Sequence, residues 1–247
     1  MEFNIIYEDN DLLVVDKPAG LIVFPEDNTN EKTLIDYLIE QFPNLKKVAE
    51  APRYGIIHRL DKDTSGILLI AKTKEAFDFF QQQFASHSED SQDNGQNPQK
   101  LIKKYVALVI GEVREKEGTI DTLIGRSQND RRKQKAYLPY EPGATGKRRA
   151  ISDYKVLEVL NGFSLVEIEL KTGRKHQIRT HFSSIHHPIT GDKLYEFKNQ
   201  PCPEGLNRQF LHAGYLKIFM PNGEEKEFRS DLPEELKKVL ENIKNNK

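Results

Sequence analysis

The chain has 247 residues, 37% of them hydrophobic and 30% charged, and its formal net charge is −1. This composition favours a globular protein, and no window approaches the roughly 18 to 20 apolar residues that a membrane-spanning helix needs. The single cysteine, Cys202, excludes an intramolecular disulfide and a multi-cysteine zinc site, and the N-terminus lacks a secretion signal, so we expect a cytoplasmic protein.

Positive charge is concentrated in one part of the chain. Residues 101–150 carry 12 Lys and Arg against 6 Asp and Glu, whereas residues 1–50 carry 4 against 11. A basic segment on a nearly neutral chain can direct a polyanion to one face of the protein. An ordinary solvated loop is the alternative, and charge alone does not decide between them.

The first hundred residues predict short strands and two amphipathic helices. β-branched runs that are broken by turn residues predict strands at Asn4–Tyr7, Leu12–Val15, Leu21–Val23 and Ile67–Ala71. Apolar residues at helical spacing predict helices at Thr33–Phe42 and Lys74–Phe84. Residues 86–100 contain almost nothing that could pack against a core, so we expect a flexible surface insertion there.

The remaining chain is rich in hairpin signals. We predict a strand at Lys103–Ile110, a hairpin of Ile151–Leu160 and Ser164–Leu170 that turns at Asn161-Gly162, a basic loop at Gly125–Arg149 and a C-terminal helix at 232–243. Strands and helices do not alternate regularly. The pattern therefore favours the α+β class, with one catalytic domain over residues 1–247 on a mixed, largely antiparallel β-sheet flanked by helices.

The densest group of polar residues runs from His58 to Gly66, between two apolar segments. A polar loop that enters a core strand can present a reactive side chain on a rigid scaffold. The order His-Arg-Leu-Asp resembles the His-Arg-Asp loop of protein kinases, but Leu60 interrupts it. Because a glycine-rich phosphate loop and an Asp-Phe-Gly motif are also missing, we reject the kinase interpretation.

A second polar group, Thr172–His181, contains two histidines five residues apart. Together with His186, His187 and His212 they suggest a metal site. Zinc sites need three or four ligands with orienting partners, and neither the spacing nor the single cysteine supports one. We therefore expect no metal, and a structural or RNA-contacting role for these histidines.

Five ordered motifs carry a family resemblance. They are Asp16-Lys17-Pro18-Ala19-Gly20, His58-Arg59-Leu60-Asp61 with Thr64-Ser65-Gly66, Lys104-Tyr105-Val106-Ala107 with Gly111, Gly173-Arg174 through His181, and Pro188 with Gly191-Asp192 and Tyr195. Their order resembles the RluA family of pseudouridine synthases over about residues 5–220. Many relatives carry a small RNA-binding domain in front. Since the motifs begin near the first residue, we expect the catalytic domain without it.

The resemblance implies the pseudouridine synthase fold and an isomerase that acts on uridines of structured RNA. Ribosomal RNA is the favoured substrate and transfer RNA the other one. The reaction breaks the bond between ribose and ring nitrogen, turns the uracil and rejoins it through a ring carbon, so no cofactor is expected. Cleavage needs a carboxylate at the sugar, which the resemblance assigns to Asp61. Whether Asp61 attacks the anomeric carbon or promotes elimination across the ribose stays open.

The resemblance also implies roles for other residues. Arg179 is expected to keep Asp61 ionised, Tyr105 to lie on the target base, and Ile178 to pack beneath the site. Since a stacked uridine must leave its helix, Arg59 is expected to enter the space that the base vacates. Further RNA contacts are expected from His58, Arg174, His176 and the basic residues Arg131, Arg132 and Lys133. We expect a monomer.

Two alternatives remain. A non-catalytic RNA-binding protein could keep the fold, although pure binding needs none of Asp61, Tyr105 and Arg179. A glycosidase-like hydrolase could use Asp61 with a second carboxylate such as Asp63, although a clear acid/base pair is missing. The sequence also departs from the family at His186, where relatives usually have glycine, and at residues 86–100, where the connection is commonly short.

Overall fold

The computed structural model describes residues 4–25, 31–88 and 101–245. Within these ranges the strands are β1 (Asn4–Glu8), β2 (Leu12–Lys17), β3 (Ser65–Ala71), β4 (Ile102–Ile110), β5 (Glu117–Arg126), β6 (Gln134–Tyr137), β7 (Arg148–Leu160), β8 (Phe163–Leu170), β9 (Leu211–Phe219) and β10 (Glu225–Arg229). The α-helices are α1 (Leu34–Gln41), α2 (Lys74–Ser88), α3 (Gln177–Ser184) and α4 (Glu234–Asn245). The predicted α+β class is confirmed.

The chain divides into two compact units. The first comprises Met1–Leu101 with Ala213–Asp231, and the second comprises Ile102–His212 with Leu232–Lys247. In the first unit the strand order is β1-β2-β3-β9, and β10 pairs with β9. In the second unit the order is β4-β8-β7-β5-β6, and these neighbours are antiparallel.

The core of the first unit forms around two buried strands. All seven residues of β3 are buried, and β2 pairs with β3 in antiparallel register from Leu12 opposite Ala71 to Lys17 opposite Gly66. The helix α1 begins after Thr33, where the Asp36 carboxylate accepts hydrogen bonds from the Thr33 amide and hydroxyl. This cap explains why the helix begins at the position that the apolar spacing predicts.

The predicted strand at Leu21–Val23 is wrong. This segment forms no strand, and the Ile22 and Val23 carbonyls accept hydrogen bonds of 2.8 and 3.0 Å from the Leu34 and Ile35 amides. These amides belong to the first turn of α1, where backbone donors lack partners within the helix. The segment Leu21–Val23, whose apolar composition resembles that of a strand, therefore supplies carbonyl acceptors to the first amides of α1.

The second unit has an apolar cluster around each of its two helices. One cluster contains Ala107 and Val109 of β4 with Ile178 and Phe182 of α3. The other contains the intervening Leu108 with Leu236 and Val239 of α4, among others. Because successive side chains of a strand point to opposite faces, β4 contributes to both clusters.

The β7–β8 hairpin and the C-terminal helix are confirmed. Asn161 and Gly162 have φ values of 39° and 80°, and this left-handed pair is what a two-residue turn of type I′ requires. The predicted loop at Gly125–Arg149 is wrong in part, because β6 lies within it and pairs with β5. The β6 sequence, Gln-Lys-Ala-Tyr, is short and lacks the apolar alternation that would predict a strand.

Residues 89–100 lie outside the described residues, and most of the predicted insertion at 86–100 falls there. The helix α2 continues to Ser88, so residues 86–88 are helical and do not belong to a loop. Among the helices of the described ranges, none is long and apolar enough to cross a bilayer.

Candidate active site

Asp61 lies in a short loop that leads directly into β3. Its side chain is half-buried, whereas the preceding Leu60 is only 5% exposed and fixes the loop to the core. The Thr64 amide donates a 3.1 Å hydrogen bond to the Asp61 carbonyl and closes a turn. The carboxylate is therefore presented on an ordered backbone that remains accessible to a substrate.

A buried lysine holds this loop in place. Lys17, at the end of β2, is 0% exposed, and its ammonium donates hydrogen bonds to the carbonyls of Pro18 (2.8 Å), Leu21 (2.8 Å) and Lys62 (2.9 Å). The Lys62 carbonyl also accepts a 2.9 Å hydrogen bond from the Gly20 amide. Since Lys62 follows Asp61 directly, these bonds fix the position of the loop that carries Asp61. Burial of an ammonium is tolerable here because the carbonyls replace its hydration.

We expect Lys17→Met to lower the free energy of unfolding by about 2 to 3 kcal/mol, because it removes the hydrogen bonds that the ammonium donates to the Pro18, Leu21 and Lys62 carbonyls. The turnover rate should fall as well, since the loop of Asp61 loses its fixed position. Urea unfolding and single-turnover rates measure the two effects. Lys62→Met is the matched control, because its side chain is exposed and pairs with Glu31 at the surface. Equal effects of the two substitutions would contradict this role of Lys17.

The backbone is closely packed at Gly66, where the loop of Asp61 continues into β3. Gly66 has a φ of +120°, and a Cβ at this position would lie 2.3 Å from the Ala213 carbonyl oxygen. Only glycine allows β3 and the residue Ala213 of β9 to approach so closely. The Thr64-Ser65-Gly66 motif is thus a packing requirement beside Asp61.

The two residues before Leu60 have different surroundings. The His58 Nε2 accepts a 3.1 Å hydrogen bond from the Leu69 amide, and its ring stacks on Phe84 with centroids 4.8 Å apart. These contacts connect the loop to β3 and α2. Arg59 is exposed, and its guanidinium lies over the Phe24 ring at 5.3 Å from the centroid. Phe24 thus supports Arg59 at the surface.

Tyr105 and Ile178 belong to the second unit. Tyr105 is half-buried on β4 and packs against the cluster that contains Ile178. Lys103 lies two positions earlier on the same strand, so its side chain leaves from the same face. Burial lowers the pKa of the Lys103 ammonium to about 8, and the charge of Arg174 contributes to this lowering. A basic group therefore accompanies Tyr105 on this face.

Arg179 has a carboxylate partner that the sequence analysis did not assign. Its Nε and Nη2 donate hydrogen bonds of 2.7 and 2.8 Å to Asp192, and the side chains are 9% and 0% exposed. The same carboxylate accepts hydrogen bonds from the Leu194 and Tyr195 amides at 3.0 and 3.2 Å. The Arg179 guanidinium also lies over the Tyr195 ring, 5.0 Å from its centroid. Arg179 is therefore held in one orientation.

Tyr195 connects this pair to the start of β6. Its hydroxyl oxygen accepts a 2.7 Å hydrogen bond from the Gln134 amide and lies 3.0 Å from the His176 Nδ1. Burial raises the pKa of Tyr195. His176, which precedes α3, has a φ of 54° and a side chain directed at Tyr195. His176 and Arg179 thus share Tyr195 as a common support.

Gln177 is a structural residue that sequence reasoning missed. It is 2% exposed, and its side-chain oxygen accepts hydrogen bonds from the Thr172 hydroxyl (2.8 Å) and the Arg174 amide (2.9 Å). Its amide nitrogen donates to Ile151 and Ser152 of β7, each at 3.0 Å. Gln177 therefore fastens the turn that carries Arg174 and His176 to the sheet.

Two other histidines of the second unit, His181 and His187, have structural contacts. The His181 ring nitrogens lie 2.9 Å from the Ser152 hydroxyl and 3.1 Å from the Thr122 hydroxyl, and burial lowers its pKa to about 4. His187 Nδ1 lies 2.8 Å from the Ile110 carbonyl. Within residues 4–25, 31–86 and 101–245, no three His, Cys, Asp or Glu side chains are grouped so that they could hold a metal ion.

The expected RNA-contacting residues of the basic segment differ in their surroundings. Arg132 donates two side-chain hydrogen bonds to Asp130, at 3.0 and 2.8 Å, and lowers the pKa of that carboxyl to about 2. Arg131 is exposed, and the Lys133 ammonium lies 5.9 Å from the centroid of the Tyr195 ring. Arg132 therefore shares its charge with a neighbouring carboxylate, whereas its two neighbours Arg131 and Lys133 have other surroundings.

The expected site residues divide between the units. Asp61, His58 and Arg59 lie in the first unit, and Tyr105, Ile178, Arg179, Arg174, His176 and the basic segment lie in the second. Their joint arrangement stays a prediction. Lys17, Asp192 and Tyr195 belong to the five ordered motifs of the sequence, but their supporting contacts depend on residues distant along the chain.

Comparison with known proteins defines the class. Residues 11–184 match the family described as RNA pseudouridylate synthase, so the chain belongs to that family. It is an RNA pseudouridine synthase and hence an isomerase. The predicted resemblance and enzyme class are confirmed.

Relatives match along nearly the whole chain. An uncharacterized RNA pseudouridine synthase of Bacillus subtilis is 36% identical over all of this chain and 74% of its own length. A ribosomal large subunit pseudouridine synthase D of Nitrosomonas europaea is 38% identical over 98% of this chain and 65% of its own length. Among solved structures, human RNA pseudouridylate synthase domain containing 4 has a TM-score of 0.75 at 25% identity, covering 97% of this chain and 92% of that one.

Proposed function

We propose that this protein isomerises specific uridines in ribosomal RNA and that Asp61 acts at the ribose of a nucleotide turned out of its helix. The observation that carries the proposal is the Asp61 loop, half-buried and fixed by Lys17 at the start of β3. Tyr105 and Arg179 complete the proposed catalytic set. Arg59, His58, Arg174 and His176 are proposed to contact the RNA.

The chemistry explains why an aspartate in this position is suitable. Detaching the base leaves the anomeric carbon short of electrons, and a nearby carboxylate can attack it or assist loss of a ribose proton. The uracil then rejoins through a ring carbon, so atoms and electrons balance without an added reactant. A fixed loop lowers the entropy cost of bringing the carboxylate to the sugar.

The choice of ribosomal RNA rests on the relatives. One of them is named for the large ribosomal subunit. Transfer RNA is the competing substrate. The enzyme is proposed to be monomeric and cytoplasmic, and both kinds of RNA are accessible to such an enzyme. The test is to purify large-subunit ribosomal RNA and transfer RNA from cells that lack this gene and to treat each with the protein. We expect new pseudouridines in the ribosomal RNA, with unchanged RNA mass. New pseudouridines only in transfer RNA would contradict the substrate assignment.

The basic segment gives a second test of RNA binding. Neutralising Arg131, Arg132 and Lys133 together should weaken binding and flatten its salt dependence. Removing one phosphate contact lowers the slope of log affinity against log salt by about 0.7 to 0.9. Because Arg132 is already paired with Asp130, we expect Arg131→Gln and Lys133→Gln to account for most of the change.

Affinity at several salt concentrations measures this effect, and single-turnover rates at saturating RNA separate it from the chemical step. The matched control neutralises Lys237, Lys238 and Lys244 of α4, which changes the net charge by the same amount. An equal decrease of slope in both triple variants would show that overall charge, and not this segment, determines binding.

A further inference from the structure

Two apolar side chains project from the connection between β6 and β7, residues 138–147. Tyr140 is 99% exposed and Leu138 is 65% exposed. Among the large hydrophobic residues that the structure describes, these are the two most exposed. An aromatic ring that remains fully in water is available for a partner.

The connection is ordered, so it presents Tyr140 in a defined position. The Glu141, Ala144 and Lys147 amides each donate a 3.0 Å hydrogen bond to the carbonyl three residues earlier. The Glu141 carboxylate accepts hydrogen bonds from the Leu138 amide, at 3.2 Å, and from the Lys135 ammonium. Prolines at positions 139 and 142 flank the exposed tyrosine and restrict the backbone further. Binding through such a connection loses little conformational entropy.

The net charge of the segment that carries Tyr140 indicates the kind of partner. Eight basic and two acidic residues lie in the segment from Arg126 through Arg149. The Lys135 and Lys147 ammonium groups lie 4.6 and 5.5 Å from the centroid of the ring of Tyr137, a buried residue at the start of the connection. An exposed aromatic ring on a strongly basic segment is the combination that binds single-stranded RNA, because bases stack on the ring while phosphates pair with the charges.

We infer that Tyr140, with Leu138 beside it, is a stacking platform for an unpaired base of the substrate RNA. Lys147, the last residue of the connection, and Arg148, the first residue of β7, bind the adjacent phosphates. The inference rests on the proposed function and deepens it, because it specifies that the substrate has an unpaired nucleotide outside the target position. A protein partner fits less well, since the segment is strongly basic around a small apolar surface.

The first test uses a fluorescent reporter. The chain contains no tryptophan, so Tyr140→Trp introduces a single one at the proposed platform. Single-stranded oligouridine should quench its fluorescence by stacking, whereas an RNA duplex of equal length and inorganic polyphosphate should leave it nearly unchanged. Leu157→Trp, at a 49% exposed position of β7, is the control and should respond to none of the three. Equal responses of the two variants, or no response of Tyr140→Trp, would overturn the inference.

The second test measures the affinity for oligouridine in variants that carry no tryptophan reporter. Tyr140→Ala should weaken binding of oligouridine by about 5- to 100-fold, and Tyr140→Phe should bind like the wild type because the ring remains. Equal affinity of the alanine and phenylalanine variants would overturn the platform. This result is distinguishable from failure of the proposed function, because conversion of ribosomal RNA by the wild-type protein is measured separately and depends on Asp61.

Discussion

Asp61→Asn is expected to abolish pseudouridine formation while RNA affinity stays within a few-fold of the wild type. The amide is nearly isosteric but cannot attack the sugar or accept its proton, so the loss is confined to the chemical step. Phosphate contacts supply most of the affinity and do not involve this side chain. The measurement is conversion of unmodified ribosomal RNA in single-turnover reactions, together with equilibrium binding.

Asp63→Asn is the control for this prediction, because Asp63 lies on the same loop two residues later and is exposed. We expect it to remain close to the wild type in rate. If Asp63→Asn were as inactive as Asp61→Asn and the wild type released a free base, the hydrolase with a carboxylate pair would be supported instead. Residual turnover of Asp61→Asn near the wild-type rate would remove Asp61 from the mechanism.

Asp192→Asn is expected to destabilise the protein by about 3 to 5 kcal/mol. It removes one partner of a buried ion pair, and removal of a single buried charge costs that much because the other stays away from water. The new amide also places its NH2 donor against a donor of Arg179 in either orientation, because Arg179 donates to both oxygens of Asp192. Urea unfolding measures the loss, and the turnover rate should fall with it, because Arg179 loses its fixed orientation.

The chain offers a matched control for burial. Arg149 donates two hydrogen bonds to Asp121, at 3.1 and 2.6 Å, in the same two-pronged geometry, but the side chains are 49% and 41% exposed. Asp121→Asn should therefore cost less than about 1 kcal/mol. A similar loss from both substitutions would mean that geometry, and not burial, determines the strength of the Arg179–Asp192 pair.

The spacing of apolar residues predicts those elements in which the buried residues recur at the period of a helix or a strand. The helices α1, α2 and α4 and the β7–β8 hairpin are found in this way, because their apolar residues face the core at regular steps. The helix α3 is missed. Its buried positions include Gln177, Arg179 and His181, and their burial is possible only because partners distant along the chain satisfy them. That information is not local.

The strands β5, β6 and β10 are also missed, since edge and half-buried strands lack continuous apolar alternation. The strand β9 is missed although most of it is buried, because His212, Gly214 and Lys217 interrupt its apolar residues. One departure from the family has a clear physical meaning. His186 has a φ of 64°, in the left-handed region that favours glycine, which is the residue that relatives usually carry there. The family resemblance thus locates a backbone requirement that no pattern of hydrophobicity reveals.

For the site, the order of the motifs predicts Asp61, Tyr105 and Arg179 as catalytic residues but not the contacts that support them. Lys17 and Asp192 belong to the ordered motifs, but their sequence neighbourhoods do not indicate that they are buried. Each becomes a supporting residue only when distant carbonyls or a distant guanidinium surround it. Such pairing follows from the fold, so a single sequence does not reveal it.

The three oxygens that accept hydrogen bonds from the Lys17 ammonium, those of Pro18, Leu21 and Lys62, belong to the main chain. Every amino acid supplies such an oxygen, so these bonds do not depend on which side chains occupy positions 21 and 62. Substitutions of the Leu21 and Lys62 side chains therefore leave these hydrogen bonds intact, so we expect the loop of Asp61 to tolerate changes at these two positions better than a change at Lys17. The lysine itself lacks a substitute, because no other side chain carries three donors on one nitrogen at the end of so long a stem.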